Sequence, residues 1–258
     1  MPRTKAQRHR RWAERHTSPG GGPSRGPHDR SSAVSAGTDR HPMGLARGFA
    51  LAVVSFIDFY TAKSLSLVAY VHPHQVDVVQ ALEASLSVVC AIGVLGVLIS
   101  WPFLLRETHR RFTLGVLVIQ TVGLALDVFA LLLSALVGQR ANPLYLLLEA
   151  ALVHIATVAL FSVWYSSIDH PRQVARRQGL PARQGISFPQ HAARYEGYED
   201  WVPGYFDYLS FAFTTSSTLG PTEAIPLAVP IKLLIMLQVS FSLNILLVLA
   251  ARAIGLIQ

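Results

Sequence analysis

The sequence is poor in cysteine, in lysine and in charge overall. Its 258 residues include one cysteine, Cys90, which excludes an intrachain disulfide framework. The chain contains no nucleotide-binding loop, nucleophile–base arrangement or spaced zinc motif, so we expect no enzyme, no cofactor and no metal site. Charged residues make up only 14% of the chain and hydrophobic residues 51%, a balance that is unusual for soluble domains. The composition therefore predicts a membrane protein.

Five long apolar blocks account for most of the chain. They are residues 46–71, 78–103, 113–137, 143–167 and 225–257. Each is long enough to cross a bilayer as a helix that rises about 1.5 Å per residue. The blocks predict an all-α polytopic membrane protein with about five transmembrane helices. Its expected location is the cell membrane, as a multi-pass protein in contact with the lipid bilayer.

The formal charge of +7 comes from the first part of the chain. Residues 1–47 hold ten Lys or Arg against three acids, whereas the remainder holds twelve against twelve. Residues 1–45 are rich in Arg, Pro, Gly and Ser and have little to bury, which predicts a disordered basic tail. Such a tail favours a cytoplasmic N-terminus and contact with anionic lipid, and no nucleic-acid partner is expected. Met43 is a second candidate start of translation.

The segment 205–224 is apolar but too short to cross a membrane comfortably. Its apolar run ends in four hydroxyl residues, Thr215 to Thr218, before Gly220 and Pro221. Apolar runs of about 10–14 residues are more often re-entrant or interfacial than spanning. Polar backbone at membrane depth is tolerated only where it is buried in protein or lines a watery cavity. We therefore expect a re-entrant pore-like helix, with a full crossing as the alternative.

Basic residues near the helix ends predict the orientation. The tail, the loop that holds Arg106 and Arg110, and the long polar loop 168–204 with its arginines all favour the cytoplasm. Two predicted spans separate each of these regions from the next, so all three can lie on the cytoplasmic side of the membrane. The C-terminus then lies outside if 205–224 re-enters and inside if it crosses.

Ionisable residues occur inside the apolar blocks. They are Asp58, Lys63, Glu83, Asp127, Glu149 and His154. An ionised side chain at the bilayer centre costs at least about 2.5–3.5 kcal/mol, so such residues usually face the bundle and pair. One interpretation is an ion or proton route through Asp127, His154 and Glu149. The other is a set of interhelical hydrogen bonds with Asp58 paired to Lys63. We expect Asp127 to pair with His154 or with a hydroxyl on a neighbouring helix.

The end of the chain resembles the pore region of bacterial potassium channels. In that family a pore helix runs into Thr-Thr-Val-Gly-Tyr-Gly-Asp, and a proline-containing turn and the inner helix follow. Aligned without gaps, the matching residues are Asp207, Leu209, Phe211, Phe213, Thr215, Thr218 and Gly220, with Glu223 for the Asp and Pro226 in the turn. Where the family has Tyr-Gly, this chain has Pro221 and Thr222. A β-branched threonine resists the positive φ that glycine permits, so the outer coordinating rings are not expected to form.

This resemblance implies an ion path, a ligand and an assembly. The residues of the filter-like ion path are Thr215, Thr218, Leu219, Gly220, Pro221, Thr222 and Glu223. The implied ligand is a monovalent cation such as potassium, and the implied assembly is a homo-oligomer, with four copies around an axis. The family places the loop before the pore helix outside the cell, whereas the charge count places it inside. The two expectations conflict.

The last part of the chain also resembles an uncharacterised family of bacterial inner-membrane proteins with the same order of helices. The shared elements are Leu152-Val153-His154 with Tyr165 downstream, Gly185 with Phe188-Pro189, and a Phe-rich segment before the last helix. Members of that family resemble a pore domain without keeping the filter. This second resemblance implies no particular activity.

Three regions are expected along the chain. They are a tail (1–45), a three-helix transmembrane region (46–140) and a pore-domain-like unit (141–258), which consists of an outer helix (143–167), a polar loop (168–204), a re-entrant helix with a filter-like loop (205–224) and an inner helix (225–257). The expected function is that of a potassium-channel-like, oligomeric, poorly selective monovalent cation channel with a degenerate filter. The alternative is a non-conducting structural or regulatory membrane protein.

Overall fold

The computed structural model describes residues 40–64, 85, 88–97, 106–137, 143–192, 198, 201–221 and 223–255. These residues are mostly helical. The helices are α1 (Arg40–Ser64), α2 (Val88–Val97), α3 (Arg106–Val137), α4 (Pro143–Arg177), α5 (Pro189–Ala192), α6 (Tyr205–Ser217) and α7 (Val229–Gly255). Two short strands, β1 (Ile186–Ser187) and β2 (Ile225–Pro226), complete the described elements.

Four of these helices are long and apolar enough to cross a membrane. The candidate spans are Met43–Thr61, Arg110–Leu132, Leu146–Arg177 and Val229–Ala251. This is the architecture of an all-α membrane protein, as the composition predicts. In the second predicted block, α2 is a shorter apolar helix, and most of the remaining residues of that block lie outside the described part of the chain.

Several helix ends differ from the ends of the apolar blocks. α3 begins at Arg106 rather than at residue 113, and α4 continues to Arg177 rather than ending at residue 167. An apolar block marks the part of a helix that suits lipid, but the backbone hydrogen bonds continue beyond it. In α4 the extension includes Pro171 and is held by buried polar side chains described below. α1 begins at Arg40, inside the predicted tail, and residues 1–39 lie outside the described residues.

Hydrogen bonds between helices give their relative directions. Gln120 of α3 bonds to Leu51 and Ser55 of α1, and Thr61 further along α1 bonds to Asp127 further along α3, so the two helices run parallel. The indole Nε1 of Trp164 near the middle of α4 donates to Thr121 Oγ1 in α3 at 2.9 Å.

α2 runs antiparallel to α3 at close range. A Cβ on Gly93 would lie 3.1 Å from the side chain of Val116, and one on Gly96 would lie 2.9 Å from the ring of Phe112. From Gly93 to Gly96 the chain advances along α2, whereas from Val116 to Phe112 it goes backwards along α3. The two glycines therefore allow the backbone of α2 to approach α3 more closely than larger residues would.

α4 lies at the centre of the described bundle. It packs against α3, α6 and α7. In the apolar stretch of α4, 67% is buried within the protein, whereas in that of α7 only 22% is buried. Arg47 links α1 to the far part of α4, because its guanidinium donates to Ser166 Oγ at 2.9 Å and to the Ser166 carbonyl at 2.8 Å. The loop that follows α4 therefore lies at the same end of the bundle as the start of α1.

The two strands join the loop after α4 to the start of α7. Ile186 pairs with Pro226 and Ser187 with Ile225 in an antiparallel register. The carbonyl of Gly185 accepts hydrogen bonds from the backbone N–H groups of Leu227 and Ala228 at 2.8 and 3.1 Å. The residues just before α7 are therefore held against the turn that follows α4.

Candidate functional site

A buried carboxylate organises the turn between α4 and α6. Asp169, fully buried in the extension of α4, accepts hydrogen bonds from the backbone N–H groups of Gly185 and Ile186 at 2.9 and 3.0 Å. Its other oxygen accepts from the hydroxyl of Tyr208 and from Gln173 Nε2, both at 3.0 Å. Burial, together with the neighbouring Asp169 carboxylate, raises the pKa of Tyr208 well above its usual value, so the phenol stays protonated and donates.

Gly185→Ala is expected to destabilise this turn. A Cβ at position 185 would lie 2.5 Å from Asp169 Oδ1, and this oxygen is held by two backbone donors, so it cannot move without losing them. We expect a loss of about 1–3 kcal/mol in the free energy of unfolding, the usual cost of overpacking.

Gly115→Ala is the matched control, since a Cβ at this α3 position meets nothing within 4 Å. It should stabilise by up to about 1 kcal/mol through helix propensity. Thermal unfolding of both variants in detergent makes the comparison. If Gly185→Ala left the unfolding temperature unchanged, the turn around Asp169 would not be tightly packed.

A second buried polar group fixes the end of α6. Gln238 of α7 is fully buried, and its Nε2 donates to the Ala212 carbonyl at 2.7 Å and to Ser216 Oγ at 2.6 Å. Its Oε1 accepts from the hydroxyl of Tyr165 in α4 at 2.6 Å. One amide therefore holds three helices together at the depth where α6 ends.

The start of α6 is capped by an acidic residue. The backbone N–H of Gly204 donates to Asp207 Oδ2 at 2.7 Å, and a carboxylate in the first turn also suits the positive end of the helix dipole. Burial raises the pKa of Asp207, and the Gly204 N–H acts in the opposite direction. Asp207 lines a cavity of about 60 Å³ together with Glu223 and Gln190.

The predicted filter-like residues occupy the end of α6 and the turn after it. Thr215 is buried and bonds to the Phe211 carbonyl within the helix. Thr218 is exposed, and its hydroxyl oxygen lies 2.6 and 2.7 Å from the carbonyl oxygens of Thr214 and Gly220, which share its one hydrogen. Leu219 is 43% exposed and adopts a φ of 58°, which is strained for a residue with a Cβ.

The rest of this path is only partly described. Pro221 is half-buried and Glu223 is exposed, whereas Thr222 lies outside the described residues. In a single chain, Thr218 to Gly220 form a turn rather than an extended strand. The hydroxyl of Thr218 and the carbonyl of Gly220 bond to each other in this turn.

The structure gives the intramembrane residues two different surroundings. The hydroxyl oxygen of Thr61 lies 3.3 Å from Asp127 Oδ1 and 3.0 Å from the carbonyls of Ile57 and Asp58 in its own helix, which compete for its one hydrogen. Asp127 therefore lies within reach of a hydroxyl on a neighbouring helix. Asp58 and Asp127 both line a small cavity that is also lined by Ala156 of α4. Glu149 is buried and lies two turns from Ala156 on the same side of α4.

His154 does not face Asp127. It lies two residues from Ala156, about 200° around α4, and lines a separate groove of about 460 Å³ with Phe206 and Phe213 of α6. Its Nδ1 is buried without a hydrogen-bond partner in the described part of the chain. The structure therefore does not assemble the predicted route through Asp127, His154 and Glu149. The side chain of Lys63 and all of Glu83 lie outside the described residues.

Sequence reasoning missed the two glutamines and Asp169. Gln120 and Gln238 are uncharged, so a search for ionisable residues in apolar blocks passes over them, although a search for buried amides would have found both. Asp169 falls just beyond the apolar part of α4, where a carboxylate looks like an ordinary loop residue. Within the described residues, no group of three or more His, Cys, Asp or Glu side chains is placed to hold a metal ion.

No family model, no curated protein and no solved structure matches this chain.

Proposed function

We propose that this chain is a pore-domain-like membrane protein that assembles around an axis and passes monovalent cations with little discrimination between potassium and sodium. The ion path would run past Thr218, Leu219 and Gly220. The observation that carries the proposal is that both ends of the segment 205–224 are tied to one turn. Tyr208 near its start and Ile225 just after its end both attach to the Gly185–Ser187 turn, through Asp169 and through the β1–β2 pairing.

This attachment supports a re-entrant course. α6 begins at the turn after α4, and its last residues contact Gln238, about two and a half helical turns into α7. The chain then returns to the β1 strand before α7 starts. A segment that leaves and rejoins the same end of a bundle dips into it. The antiparallel contact of α2 with α3 likewise supports a fifth crossing.

The surface of α7 supports an assembly. Large apolar side chains along it are exposed in the single chain, including Leu233, Met236, Leu243 and Leu247. A neighbouring subunit would cover part of this surface, and four α6 helices around an axis would direct the negative ends of their dipoles at a cation.

Labelling of single cysteines tests the re-entrant course. Cys90 is the only native cysteine and is buried, so Cys90→Ala gives a clean background. Gly204→Cys and Glu223→Cys, both exposed positions, are expected to react with a membrane-impermeant reagent from the same side. Ala251→Cys, exposed near the far end of α7, should react from the opposite side. Labelling of positions 204 and 223 from opposite sides would make α6 part of a crossing.

The side that labels positions 204 and 223 also decides the orientation. The charge count predicts the cytoplasmic side, with the N-terminus on that side as well. The arrangement of potassium channels predicts the outside. The same experiment therefore separates the two expectations.

Ion flux into liposomes tests conduction. The native protein is expected to give weak cation flux with a potassium-to-sodium flux ratio near one. The reason is that Pro221 and Thr222 replace the residues that complete the series of ion-binding sites in the filter of potassium channels. Pro221→Tyr with Thr222→Gly should raise that discrimination. Leu180→Tyr, at an exposed position outside the path, is the control and should change neither the cation flux nor the potassium-to-sodium discrimination.

The second candidate is a non-conducting structural or regulatory protein. The hydrogen bond between Thr218 and the Gly220 carbonyl favours it, because that carbonyl already has a partner. No flux in the native protein or in the double variant, with correct insertion verified, would leave this second candidate.

A further inference from the structure

Four arginines lie at the end of α4 and in the loop that follows it. They are Arg172, Arg176, Arg177 and Arg183. The last three are exposed, and Arg172 is half-buried. Asp169 is the one acidic residue of the sequence between residues 168 and 192. This part of the chain therefore carries four positive charges against one negative charge.

The carboxylate of Asp169 does not pair with these arginines. Its two oxygens accept from uncharged donors, namely two backbone N–H groups, a phenol and an amide. Within the described residues, no carboxylate forms a salt bridge with any of the four guanidinium groups. Their positive charge is therefore available to an anionic partner.

The turn at Gly185 brings three of the arginines together. A Cβ on Gly185 would lie 3.5 Å from Arg172 Nη1, and Arg183 comes two residues before this glycine. Arg176 lies one turn after Arg172 on the same face of α4. Burial and then the nearby Arg176 guanidinium lower the pKa of His191, so Arg176 lies beside α5. Arg172, Arg176 and Arg183 thus form one basic surface, here called the arginine surface.

The arginine surface lies at the level of the lipid headgroups. α4 has 35 residues and is about 52 Å long at about 1.5 Å per residue, whereas a bilayer with its headgroups is about 40–45 Å thick. Arg172 and Arg176 follow the end of the apolar block at residue 167 by about 7 to 14 Å. Long arginine side chains bend so that the charged group stays at the interface. The guanidinium groups can therefore reach headgroup phosphates.

We propose that the arginine surface binds the phosphate groups of anionic phospholipids. The planar guanidinium group offers a fork of N–H donors that matches the oxygens of a phosphate, and it stays charged in proteins. Clusters of basic residues next to a membrane-spanning helix attract anionic headgroups. The surface goes beyond the proposed ion path, because it contains no residue of the segment 205–224 and does not depend on conduction.

Thermal unfolding of the full chain in neutral detergent tests the surface. Phosphatidylglycerol in the micelles is expected to raise the unfolding temperature in a saturable way, whereas phosphatidylcholine, which has no net charge, should not. Arg176→Gln and Arg183→Gln, both at exposed positions, should each raise the half-saturating amount of phosphatidylglycerol by about five-fold, the equivalent of about 1 kcal/mol per basic residue. The readout is the lipid-dependent shift within each variant rather than its absolute stability.

Two further variants serve as controls. Lys232→Gln removes an exposed positive charge from the first turn of α7, outside the arginine surface, and should leave the half-saturating amount of lipid nearly unchanged. Arg176→Lys keeps the charge and should retain more of the response than Arg176→Gln. If Lys232→Gln weakened the response as much as Arg176→Gln, the lipid would be responding to net charge alone, and the proposal would be overturned.

Measurements on the native chain separate phospholipid from other anions. Sodium chloride should weaken the response to phosphatidylglycerol, because salt screens charges near the surface, and a response that is insensitive to salt would contradict the proposal. An equal shift with sodium phosphate at the same ionic strength would mean that the surface binds free phosphate instead. Tighter binding of a DNA oligonucleotide, lost in Arg176→Gln and Arg183→Gln, would assign the surface to nucleic acid. None of these measurements involves ion flux, so their outcome is distinguishable from that for the proposed channel.

Discussion

Asp169→Ala is expected to lower the free energy of unfolding by at least about 3 kcal/mol, the largest loss among the substitutions considered. The carboxylate accepts from two backbone N–H groups, the hydroxyl of Tyr208 and the amide of Gln173. Alanine leaves the two backbone N–H groups and the Tyr208 hydroxyl buried without an acceptor, whereas Gln173 keeps its bond to the Ile186 carbonyl. Each unsatisfied group costs about 1–3 kcal/mol. The Gly185–Ser187 turn should then detach from α4, and β2 with it.

Tyr208→Phe is the graded control for this prediction. It removes one of the four donors and the polar atom that would otherwise be stranded, so it should cost about 1 kcal/mol. Thermal unfolding in detergent measures both variants, and the labelling rate of Glu223→Cys in each background reports whether the segment after α6 has loosened. If Asp169→Ala were no more damaging than Tyr208→Phe, the backbone donors of the turn would have to find other acceptors.

Gln238→Leu is expected to release the end of α6 from α7. The amide makes three interhelical hydrogen bonds. Each such bond in a membrane contributes about 1–2 kcal/mol in model peptides and about 0.6 kcal/mol on average in double-mutant cycles. Leucine is of similar size, so the loss would come from the hydrogen bonds and not from a void. We expect a loss of about 2–4 kcal/mol and faster labelling of a cysteine placed at Thr218.

The control for this prediction lies on the same helix. Ser240 is exposed, and within the described residues its hydroxyl bonds to the Met236 carbonyl of its own helix, so Ser240→Ala should leave the free energy of unfolding nearly unchanged. Tyr165→Phe removes one of the three Gln238 hydrogen bonds, so its loss in the free energy of unfolding should lie between those of Gln238→Leu and Ser240→Ala. Equal stability of Gln238→Leu and Ser240→Ala would contradict a role for this amide in holding α6.

The same variants can be used to measure both ion flux and stability, and the two readouts answer different questions. A variant that loosens α6, such as Gln238→Leu, should alter flux if the segment after α6 lines a pathway. Loss of flux together with loss of correct insertion would instead point to general unfolding.

The sequence alone predicted the long apolar helices and the short helix α6, because lipid admits only helices of a minimum apolar length and Pro221 and Gly220 interrupt the apolar run. It also predicted that Asp127 pairs with His154 or with a hydroxyl on a neighbouring helix, since a buried carboxylate needs a donor, and the structure brings the Thr61 hydroxyl rather than His154 close to it. Charge and hydropathy are properties of single residues, and they can be read without knowing which helices are neighbours.

Only the tertiary structure decided which groups meet. Asp169, in the extension of α4, finds its partners in the turn at Gly185 and Ile186 and in α6. The separation of His154 from Asp127 follows from the rotation of α4, and the bonds of Gln120 to Leu51 and Ser55 follow from the parallel packing of α1 and α3. Interhelical hydrogen bonds join residues far apart in the chain and depend on helix rotation and register, neither of which is encoded in the local pattern of apolar and polar residues.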